Sequence, residues 1–357
     1  MSTVSELEVA LDHEEVAVRQ GRRTGLPVIV AVHSTLLGPA VGGLRIAPYA
    51  TPLDAMADCL RLSRGMTFKA ASVDNGTGGG KAVVPLLPGG PRAVDGALRR
   101  SVLLDVAEVV HGLDGRYHVA PDVGTGSADM RLIRGRTPYV GGYTFESDGM
   151  GATTCGTAYG VEHAMLSTAE HRWGTRDLAG RSVAVIGFGG VGELLATLLI
   201  ARGAAVTATD INPARRTVAE SLGATWVPVD DPYVADVDIL APCALGGVFT
   251  SELVGRLRCR AIVGSANNQL ANDMVADELT SAGIVWSPDF VTNAGGVMYG
   301  TGIELHGMSR AAANERLAVI GSSITDILRR SQRRGVSTLS AAYELANAHL
   351  SAARTAS

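Results

Sequence analysis

Apolar and polar positions alternate in two different rhythms along the first half of the chain. Short apolar runs of strand length are separated by longer stretches in which apolar residues recur every three or four positions, which is the spacing of an amphipathic helix. The pattern predicts strands at 28–32, 82–86 and 117–120 and helices at 52–64 and 94–112. Strands that alternate with helices in this way indicate an α/β fold.

The second half of the chain repeats this alternation after a boundary rich in small residues at 149–160. Strand-like runs recur at 182–186, 205–210, 261–264 and 284–286, a spacing typical of a parallel, doubly wound sheet. From 307 onward the pattern is helical, with apolar residues on one face. We therefore predict an α/β protein with domains at 1–150 and 151–325, followed by a C-terminal helical segment at 326–357 that packs back on them.

Composition narrows the classes of partner. The net charge of -4 leaves no basic excess for a phosphate backbone, so nucleic acid is not an expected partner. We find no signal-peptide pattern, and the longest apolar runs are strand-sized, so we expect a cytoplasmic protein without a membrane segment. The four cysteines lack metal-ligand spacing, so no metal site is expected and structural thiols are favoured, with Cys155 kept as a candidate reactive thiol.

A glycine-rich turn follows the run at 182–186 and precedes a helical pattern. Residues 187–192 read Gly-Phe-Gly-Gly-Val-Gly. Such glycines let the chain turn sharply, admit a pyrophosphate to bare backbone and pack the next helix close to its strand. The motif predicts a dinucleotide site, and its candidate cofactor contacts are Gly187, Gly189, Gly190, Val191 and Gly192.

An acidic residue about 20 positions later bears on the choice of nucleotide. Asp210 ends the next strand-like run, where a carboxylate binds both ribose hydroxyls and repels a 2′-phosphate. NAD is therefore predicted over NADP, and Ile211 is a further cofactor candidate. Arg215 and Arg216 follow closely and could neutralise a phosphate, although a solvated helix face is the simpler interpretation.

A second glycine cluster, Gly-Thr-Gly-Gly-Gly-Lys at 76–81, resembles a phosphate-binding loop but does not match one. Asn75 stands where the first glycine should be, and Ala82 replaces the magnesium-binding hydroxyl. We interpret the cluster as a loop that brings Lys81 against close-packed backbone, where desolvation and a second cation, Lys69, lower its pKa toward that of a general base. The alternative is two ordinary surface lysines.

These and other motifs resemble the amino-acid dehydrogenase family that includes leucine, valine, phenylalanine and glutamate dehydrogenases. The resemblance covers nearly the whole chain. It implies a substrate-binding and oligomerisation domain followed by an NAD-binding Rossmann domain, and a homo-oligomer. The matching stretches are 37–45, 63–69, 78–81, 120–125, 241–247, 266–270 and 288–297.

The resemblance also implies roles for single residues. Lys69 would bind the substrate carboxylate, Lys81 would be the general base that activates water, and Asp122 would handle the proton of the amino group. These roles suit the reaction, which needs an oriented carboxylate and an acid/base pair. Asp122 alone could equally be a loop or capping carboxylate. Residues expected to border the substrate are Gly42, Gly43, Met66 and Asn267.

Further cofactor contacts are expected from the amide-rich segment 265–269, which follows a predicted strand at the sheet edge where ligands bind. One amide could bind the nicotinamide or its ribose and the other the substrate, although a plain turn is the alternative for two adjacent asparagines. The remaining candidate cofactor contacts come from this segment and from the family resemblance. They are Thr157, Cys243, Ala244, Ala266, Asn268 and Asn293.

Three positions bear on the substrate side chain. Glutamate dehydrogenases of the family place a lysine where this chain has Val41, and an unpaired distal carboxylate would cost several kcal/mol. An apolar substrate is therefore expected. Gly300 lies three residues after Val297, at a position where branched-chain enzymes of the family commonly carry valine. Glycine in place of valine suggests room for a phenylalanine-like or larger side chain, unless neighbouring residues refill the space. The segments 75–77 and 148–155 also depart from the family pattern.

We therefore predict an NAD-dependent enzyme that reversibly converts an apolar L-amino acid, leucine, valine, isoleucine or phenylalanine-like, to its 2-oxo acid and ammonia. One alternative is a dehydrogenase for a specialised bulky amino acid such as tryptophan. A second is a nucleotide-binding protein without turnover. A third, a hydroxy-acid dehydrogenase, would call for a His or Tyr near the substrate, and none of the eight histidines falls in these motifs.

Overall fold

The computed structural model describes residues 12–144, 151–228 and 232–356. Residues 149 and 150 of the predicted boundary, and residues 148–150 of the segment that departs from the family pattern, lie outside this range. The chain forms two compact units, one of residues 1–149 with 347–357 and the other of residues 150–346. The boundary between the two units thus falls within the last helix, between residues 346 and 347. The sequence analysis instead ended the second domain at residue 325 and began the C-terminal segment at 326.

A five-stranded mixed sheet forms the centre of the first unit. The strands lie in the order β1-β2-β4-β3-β5; β2 runs antiparallel to both of its neighbours, whereas β3, β4 and β5 run parallel. Parallel strands need a crossover between them, which the helices provide. The strands are β1 (Glu15–Gln20), β2 (Pro27–Ser34), β3 (Ala40–Pro48), β4 (Gly78–Leu86) and β5 (Tyr117–Pro121).

Helices cover both faces of this sheet. The first of them starts at a capping box, in which Thr51 and Asp54 bond each other's backbone amides and Pro52 takes the first helical position. One hydrophobic core joins this first helix to one face of the sheet, which includes Val83 of β4. A larger core joins the opposite face of the sheet to the second helix. The helices are α1 (Pro52–Ser72), α2 (Gly96–His111) and α3 (Ser127–Arg134).

The glycine run at 78–80 is the beginning of β4 and not a loop, so that part of the sequence prediction is wrong. All nine residues of β4 are buried. The glycines permit close neighbours: a Cβ at Gly79 would strike Thr67 of α1, and one at Gly80 would lie 2.5 Å from the ring of Tyr117. Tertiary packing on both faces of the strand therefore overrides the usual link between glycine and turns.

The second unit contains a six-stranded sheet in which every adjacent pair of strands is parallel. The strand order β8-β7-β6-β9-β10-β11 is that of a doubly wound dinucleotide-binding fold. The two-domain α/β prediction is confirmed. The strands are β6 (Ser182–Ile186), β7 (Ala205–Thr209), β8 (Thr225–Trp226), β9 (Ile239–Pro242), β10 (Ala261–Ile262) and β11 (Val285–Trp286).

Helices of the second unit alternate with these strands and then continue to the end of the chain. They are α4 (Ala152–Trp173), α5 (Gly190–Ala201), α6 (Arg215–Ser221), α7 (Ser251–Val254), α8 (Met274–Ser281), α9 (Asp289–Thr292), α10 (Gly295–Glu304), α11 (Arg310–Arg316), α12 (Ala318–Arg334) and α13 (Thr338–Ala356), with a 3₁₀ turn at Pro232–Val234. Among the described residues, none of the helices has the length and apolar character needed to cross a bilayer.

The C-terminal helices pack back, as the sequence pattern predicted. The predicted apolar face of α12 is buried, with Ile320, Ile324 and Ile327 fully inaccessible to solvent. The last residues of α13 belong to the first unit, where His349 Nδ1 lies 2.6 Å from the carbonyl oxygen of Ala71 in α1. This contact fastens the last turns of α13 to the C-terminal end of α1.

Candidate active site

Three parallel strands bring together the residues around the second glycine cluster, at 76–81. The strand β3 lies between β4 and β5. Its register pairs Val41 with Gly79 of β4, and it pairs Gly43 with Ala120 of β5, two residues before Asp122. Paired residues on adjacent strands project to the same face of a sheet. Val41 and Gly43 therefore share one face with Lys81 and Asp122.

Lys81 and Asp122 form an ion pair across β3, in which the lysine is buried and the carboxylate is 24% exposed. Only 5% of Lys81 is exposed, and its Nζ donates a hydrogen bond to Oδ2 of Asp122 at 2.7 Å. The lysine crosses β3 at Gly43, which has no side chain to block it. A Cβ at Gly43 would lie 2.5 Å from Cβ of Asp122, so a larger residue there would displace the carboxylate.

Burial and pairing act on the two groups in opposite directions. Burial lowers the pKa of Lys81, and the attraction of Asp122 opposes this only in part. Burial alone would raise the pKa of Asp122, but the ion pair with Lys81 lowers it below its usual range. A buried amine that releases its proton readily, held beside an ionised carboxylate, can act as an acid/base pair.

The helix α1 packs on this same face of the sheet, because its Thr67 fills the space above Gly79. Lys69 lies in the last turn of α1 and Met66 one turn before it, and both are half-buried. The structure therefore places Lys69 on the helix that covers the strand of Lys81. Its role as carboxylate ligand stays a prediction.

Gly42 projects to the opposite face from Gly43. The hydroxyl of Tyr117 donates a hydrogen bond to the carbonyl oxygen of Gly42 at 2.7 Å, and a Cβ at Gly42 would strike the carbonyl oxygen of Gly80. Close packing of backbone accounts for glycine at this position. A substrate contact of Gly42 stays a prediction.

The lysine content of the chain is a signal that the motif analysis missed. The chain has 31 basic residues, of which Lys69 and Lys81 are the only two lysines. Arginine stays protonated in proteins, whereas a buried lysine can lose its proton. Both lysine side chains of this arginine-rich chain thus lie in one helix-covered sheet region, Lys69 on α1 and Lys81 on β4.

Thr125 is a supporting residue that the sequence analysis named only within a family stretch. Its Oγ accepts a hydrogen bond from the amide nitrogen of Asp122 at 3.0 Å and donates one to the carbonyl oxygen of Leu44 at 2.8 Å. These bonds fasten the turn after β5 to β3. A threonine three residues after an aspartate is the local signal of such a turn.

In the second unit, the glycine turn of 187–192 connects β6 to α5 as predicted. Gly187 has φ of +97°, and a Cβ there would lie 2.6 Å from Ala244 Cβ. A Cβ at Gly192 would strike the carbonyl oxygen of Gly187, so this glycine serves close packing of α5 on its strand. Gly190 and Val191 form the first turn of α5, where unpaired amides attract anions.

Asp210 lies beside this turn, directly after β7. Its Oδ2 accepts a hydrogen bond from the amide nitrogen of Phe188 at 2.6 Å, and its Oδ1 accepts one from the amide nitrogen of Asn212 at 2.8 Å. The next residue, Ile211, is 87% exposed. A carboxylate held at the end of the second strand is the position that binds a ribose in this fold.

Arg215 and Arg216 contact glutamates of the second unit. Arg215 lies 3.4 Å from Glu193, and Arg216 pairs with Glu220 at 2.8 Å one turn along α6. Charges paired in this way are typical of a solvated helix face.

Cys243 and Ala244 follow β9, the strand beside β6. The strand order reverses between these two strands, and ligands of doubly wound folds bind at that point. The amide nitrogen of Cys243 donates to the carbonyl oxygen of Ile186 at 2.7 Å, which holds the two strand ends together. Burial raises the pKa of the Cys243 thiol, so this side chain behaves as a small apolar group.

The amide-rich segment after β10 exposes two asparagines above a buried glutamine. Asn267 and Asn268 are exposed, Ala266 is buried, and Asn268 adopts φ of +51°. Asn293 donates a hydrogen bond through Nδ2 to Oδ1 of Asn267 at 2.9 Å and another to the carbonyl oxygen of Ser265 at 3.3 Å. This turn is therefore linked to the segment that precedes α10.

Gln269 anchors this turn and was not singled out from the sequence. It is fully buried; its Nε2 donates to the carbonyl oxygens of Gly264 and Ala266, at 3.3 and 3.1 Å. Its Oε1 accepts from the indole nitrogen of Trp286 at 3.0 Å. A buried amide with its donors and acceptor satisfied fixes the backbone around it.

Glycines also bring α4 and α10 into backbone contact. A Cβ at Gly156 would strike the carbonyl oxygen of Gly295, and one at Gly296 would lie 2.7 Å from the hydroxyl oxygen of Thr157. Val297 and Gly300 lie one turn apart on α10 and are half-buried. The structure thus groups Thr157 with the start of α10.

Two features of the second unit fit a bound dinucleotide. Gly189 faces open space: apart from its chain neighbours, no described atom lies within 4 Å of a Cβ placed there. Oδ1 of Asn293 is buried and finds no hydrogen-bond donor among the described residues. A buried acceptor without a donor is costly unless a ligand or water satisfies it.

Comparison with known proteins agrees with this architecture. A family model described as Glu/Leu/Phe/Val dehydrogenase, dimerisation domain, matches residues 7–139, and one described as Glutamate/Leucine/Phenylalanine/Valine dehydrogenase matches residues 210–357. Leucine dehydrogenase of Bacillus cereus is 39% identical over 336 residues, which cover 94% of this chain and 90% of that protein. Valine dehydrogenase of Streptomyces albus is 38% identical over 349 residues, with 96% and 93% covered.

A solved structure is similar over the same length. L-tryptophan dehydrogenase from Nostoc punctiforme superposes with a TM-score of 0.85 and 33% sequence identity, covering 99% of this chain and all of that one. Glutamate dehydrogenase from Peptoniphilus asaccharolyticus, at 20% identity and a TM-score of 0.75, shares the fold. With its two family matches and its relatives of nearly equal length, the chain belongs to the Glu/Leu/Phe/Val family of amino-acid dehydrogenases.

Proposed function

We propose that the protein catalyses the NAD-dependent, reversible oxidative deamination of an apolar L-amino acid to its 2-oxo acid and ammonia. The observation that carries this proposal is the pairing of buried Lys81 with Asp122, 2.7 Å apart, on a face lined by Gly43 and covered by α1. The names of the leucine, valine and tryptophan dehydrogenases among its relatives support it.

The residues divide the reaction between them. Lys69 binds the substrate carboxylate, and Asp122, held ionised, binds the amino group and takes up the proton that it loses. NAD supplies the acceptor for the hydride that leaves Cα. Lys81 in its neutral form then removes a proton from water, whose hydroxide adds to the iminium carbon. Asp122 returns its proton to nitrogen, the carbinolamine hydroxyl gives up its proton to solvent water as the C–N bond breaks, ammonia leaves, and the 2-oxo acid remains.

Residues of the second unit would hold NAD. The glycine turn would receive the pyrophosphate on backbone amides at the start of α5, and Asp210 would accept hydrogen bonds from the ribose hydroxyls. A carboxylate at this position repels a 2′-phosphate, so we propose NAD over NADP. The predicted contacts of Thr157, Asn268 and Asn293 are part of this proposal.

The substrate side chain is proposed to be apolar. Val41 is 6% exposed and lies on the face of Lys81, so a distal carboxylate beside it would be unpaired at a cost of several kcal/mol. Glycine at 300 and the likeness to a tryptophan dehydrogenase favour a large, aromatic side chain as a second candidate. Substrate contacts of Asn267, Val297 and Gly300 remain predictions.

We also propose a cytoplasmic homo-oligomer. The match of 7–139 to a dimerisation domain supports association, and a glutamate dehydrogenase of the same fold from Thermus thermophilus is described as hetero-hexameric. Four free cysteines suit a reducing compartment. Light scattering of the purified chain measures the subunit number, and a monomeric mass would contradict this part of the proposal.

The first test is NADH formation at alkaline pH with L-Leu, L-Val, L-Ile, L-Phe, L-Trp and L-Glu, repeated with NADP. We expect turnover of apolar members with NAD and none of L-Glu. Lys81→Met and Lys81→Arg remove the base, since arginine keeps the charge but does not deprotonate. Both should lower kcat by about 10²–10⁴-fold and leave NADH affinity unchanged. Turnover of L-Glu, or activity retained in Lys81→Arg, would contradict the assignment.

A further inference from the structure

A third cation touches the Lys81–Asp122 pair. Arg45 lies on β3, two residues after Gly43 and on the same face. Its Nε donates a hydrogen bond to Oδ2 of Asp122 at 3.0 Å, the same oxygen that binds Lys81 Nζ at 2.7 Å. Both side-chain hydrogen bonds that the described residues make to this carboxylate therefore end on Oδ2, and Oδ1 accepts neither of them.

The other end of the guanidinium is fixed to α1. A terminal nitrogen of Arg45 donates to Oδ2 of Asp58 at 2.8 Å, and the same oxygen accepts the hydroxyl of Tyr49 at 2.7 Å. The second oxygen of Asp58 binds Arg61 at 2.7 Å. Arg45 is thus clamped between two carboxylates and cannot rotate without losing one of them, which a planar guanidinium fork suits better than a lysine would.

We propose that Arg45 is a positioning residue for the proposed deamination: it fixes the Asp122 carboxylate against Lys81 through Oδ2 and leaves Oδ1 for the substrate nitrogen. This inference rests on the proposed function. No motif argument singled out Arg45, because its two partners lie 13 and 77 residues away in the chain.

The charge of Arg45 favours the working protonation state of both neighbours. Lys81 and Arg45 lie within about 6 Å of each other, since each binds the same oxygen. A permanent cation at that range disfavours the protonated form of Lys81 and favours the ionised form of Asp122. Burial lowers the pKa of Lys81, and the charge of Arg45 lowers it further. Burial raises the pKa of Asp122, and Lys81 and then Arg45 lower it below its usual range.

The experiment compares Arg45→Gln with the wild-type chain in two ways. First, kcat/KM for the amino acid is followed against pH. Second, the titration of Lys81 is followed by NMR of lysine-labelled protein, which needs no turnover and has only two lysine side-chain signals. We expect the acidic limb of the pH profile, along which Lys81 loses its proton, and the Lys81 titration to move together to higher pH, equivalent to about a tenfold rise in proton affinity. The KM for NAD should not change.

Arg61→Gln is the matched control. Arg61 pairs with the same Asp58 but is 58% exposed and makes no bond to Asp122, so both readouts should stay at their wild-type values. Arg45→Lys keeps the charge but not the fork; we expect a wild-type pH profile with kcat lowered at least about fivefold. This variant also decides the matter if Arg45→Gln does not fold.

The outcomes separate the two proposals. An Arg45→Gln chain with a wild-type pH profile and Lys81 titration, or an Arg45→Lys chain with wild-type kcat, would overturn the role of Arg45 and leave the proposed function standing. A wild-type chain that turns over no amino acid would overturn the proposed function, and the Lys81 titration would still test the effect of Arg45.

Discussion

Replacing Asp122 by asparagine isolates the effect of burial on Lys81. The ion pair raises the pKa of Lys81 and burial lowers it, with burial the larger effect. Asparagine keeps the size of the side chain and an oxygen that accepts a hydrogen bond, but it removes the negative charge. The pKa of Lys81 should therefore fall further below its ordinary range in Asp122→Asn, so that more of the amine is neutral at a given pH.

The magnitude follows from the 2.7 Å separation of Lys81 Nζ and Asp122 Oδ2. Two unit charges at that distance attract by about 6 kcal/mol at an effective dielectric constant of about 20. Arg45 already neutralises part of the carboxylate charge. Even a quarter of this attraction corresponds to about a tenfold change in the proton affinity of Lys81.

The chain is well suited to a direct measurement. It contains two lysines, so incorporation of lysine labelled at Cε yields two side-chain signals besides the backbone. Lys69→Arg removes one signal and assigns the other to Lys81. Titration of wild-type and Asp122→Asn chains then compares the two pKa values, and circular dichroism at each pH verifies that the fold persists.

A Lys81 signal that titrates at the same pH in both chains would show that the pair is not formed in solution. A rise of the pKa in Asp122→Asn would contradict the sign of the argument. In the same variant, kcat should fall by about 10²-fold or more although more of the base is neutral, because the substrate nitrogen loses its proton carrier. Turnover equal to wild type would remove Asp122 from the mechanism.

Other predictions concern the second unit. Gly192→Ala should lower the melting temperature, because its Cβ would strike backbone. Gly189→Ala faces open space, so it should weaken NADH binding about tenfold in a fluorescence titration with little change in melting temperature. Identical behaviour of the two variants would refute this distinction. Asp210→Ser should reduce the ratio of kcat/KM for NAD over NADP by at least about tenfold, and an unchanged ratio would exclude a ribose contact. Gln269→Leu removes the partner of the Trp286 indole nitrogen and of the Ala266 carbonyl oxygen, whereas the Gly264 carbonyl keeps the hydroxyl of Thr292, so urea unfolding should report a loss of about 2 kcal/mol or more; a loss below about 1 kcal/mol would contradict the anchoring role.

Elements with a consistent local pattern were predictable, and elements that depend on distant packing were not. The run at 182–186 became β6 (Ser182–Ile186), because a buried parallel strand needs continuous apolar residues and ends at a glycine turn. The helix predicted to end at 64 continues to Ser72. Its last two turns include Gly65 and Thr67, which are poor helix formers, and packing of Thr67 above Gly79 supplies the missing stability.

By itself, the sequence determined the α/β order of elements, the dinucleotide turn with its acidic residue, the family and the two lysines. Each of these depends on residue type and short spacing, which are local properties. Only the tertiary structure decided that the glycine run is a buried strand, that Lys81 reaches Asp122 across Gly43, and that Arg45 joins them. The partners of these contacts lie 41 and 77 residues apart. Their proton affinities come from desolvation and charge distances, which exist only after the strands have paired.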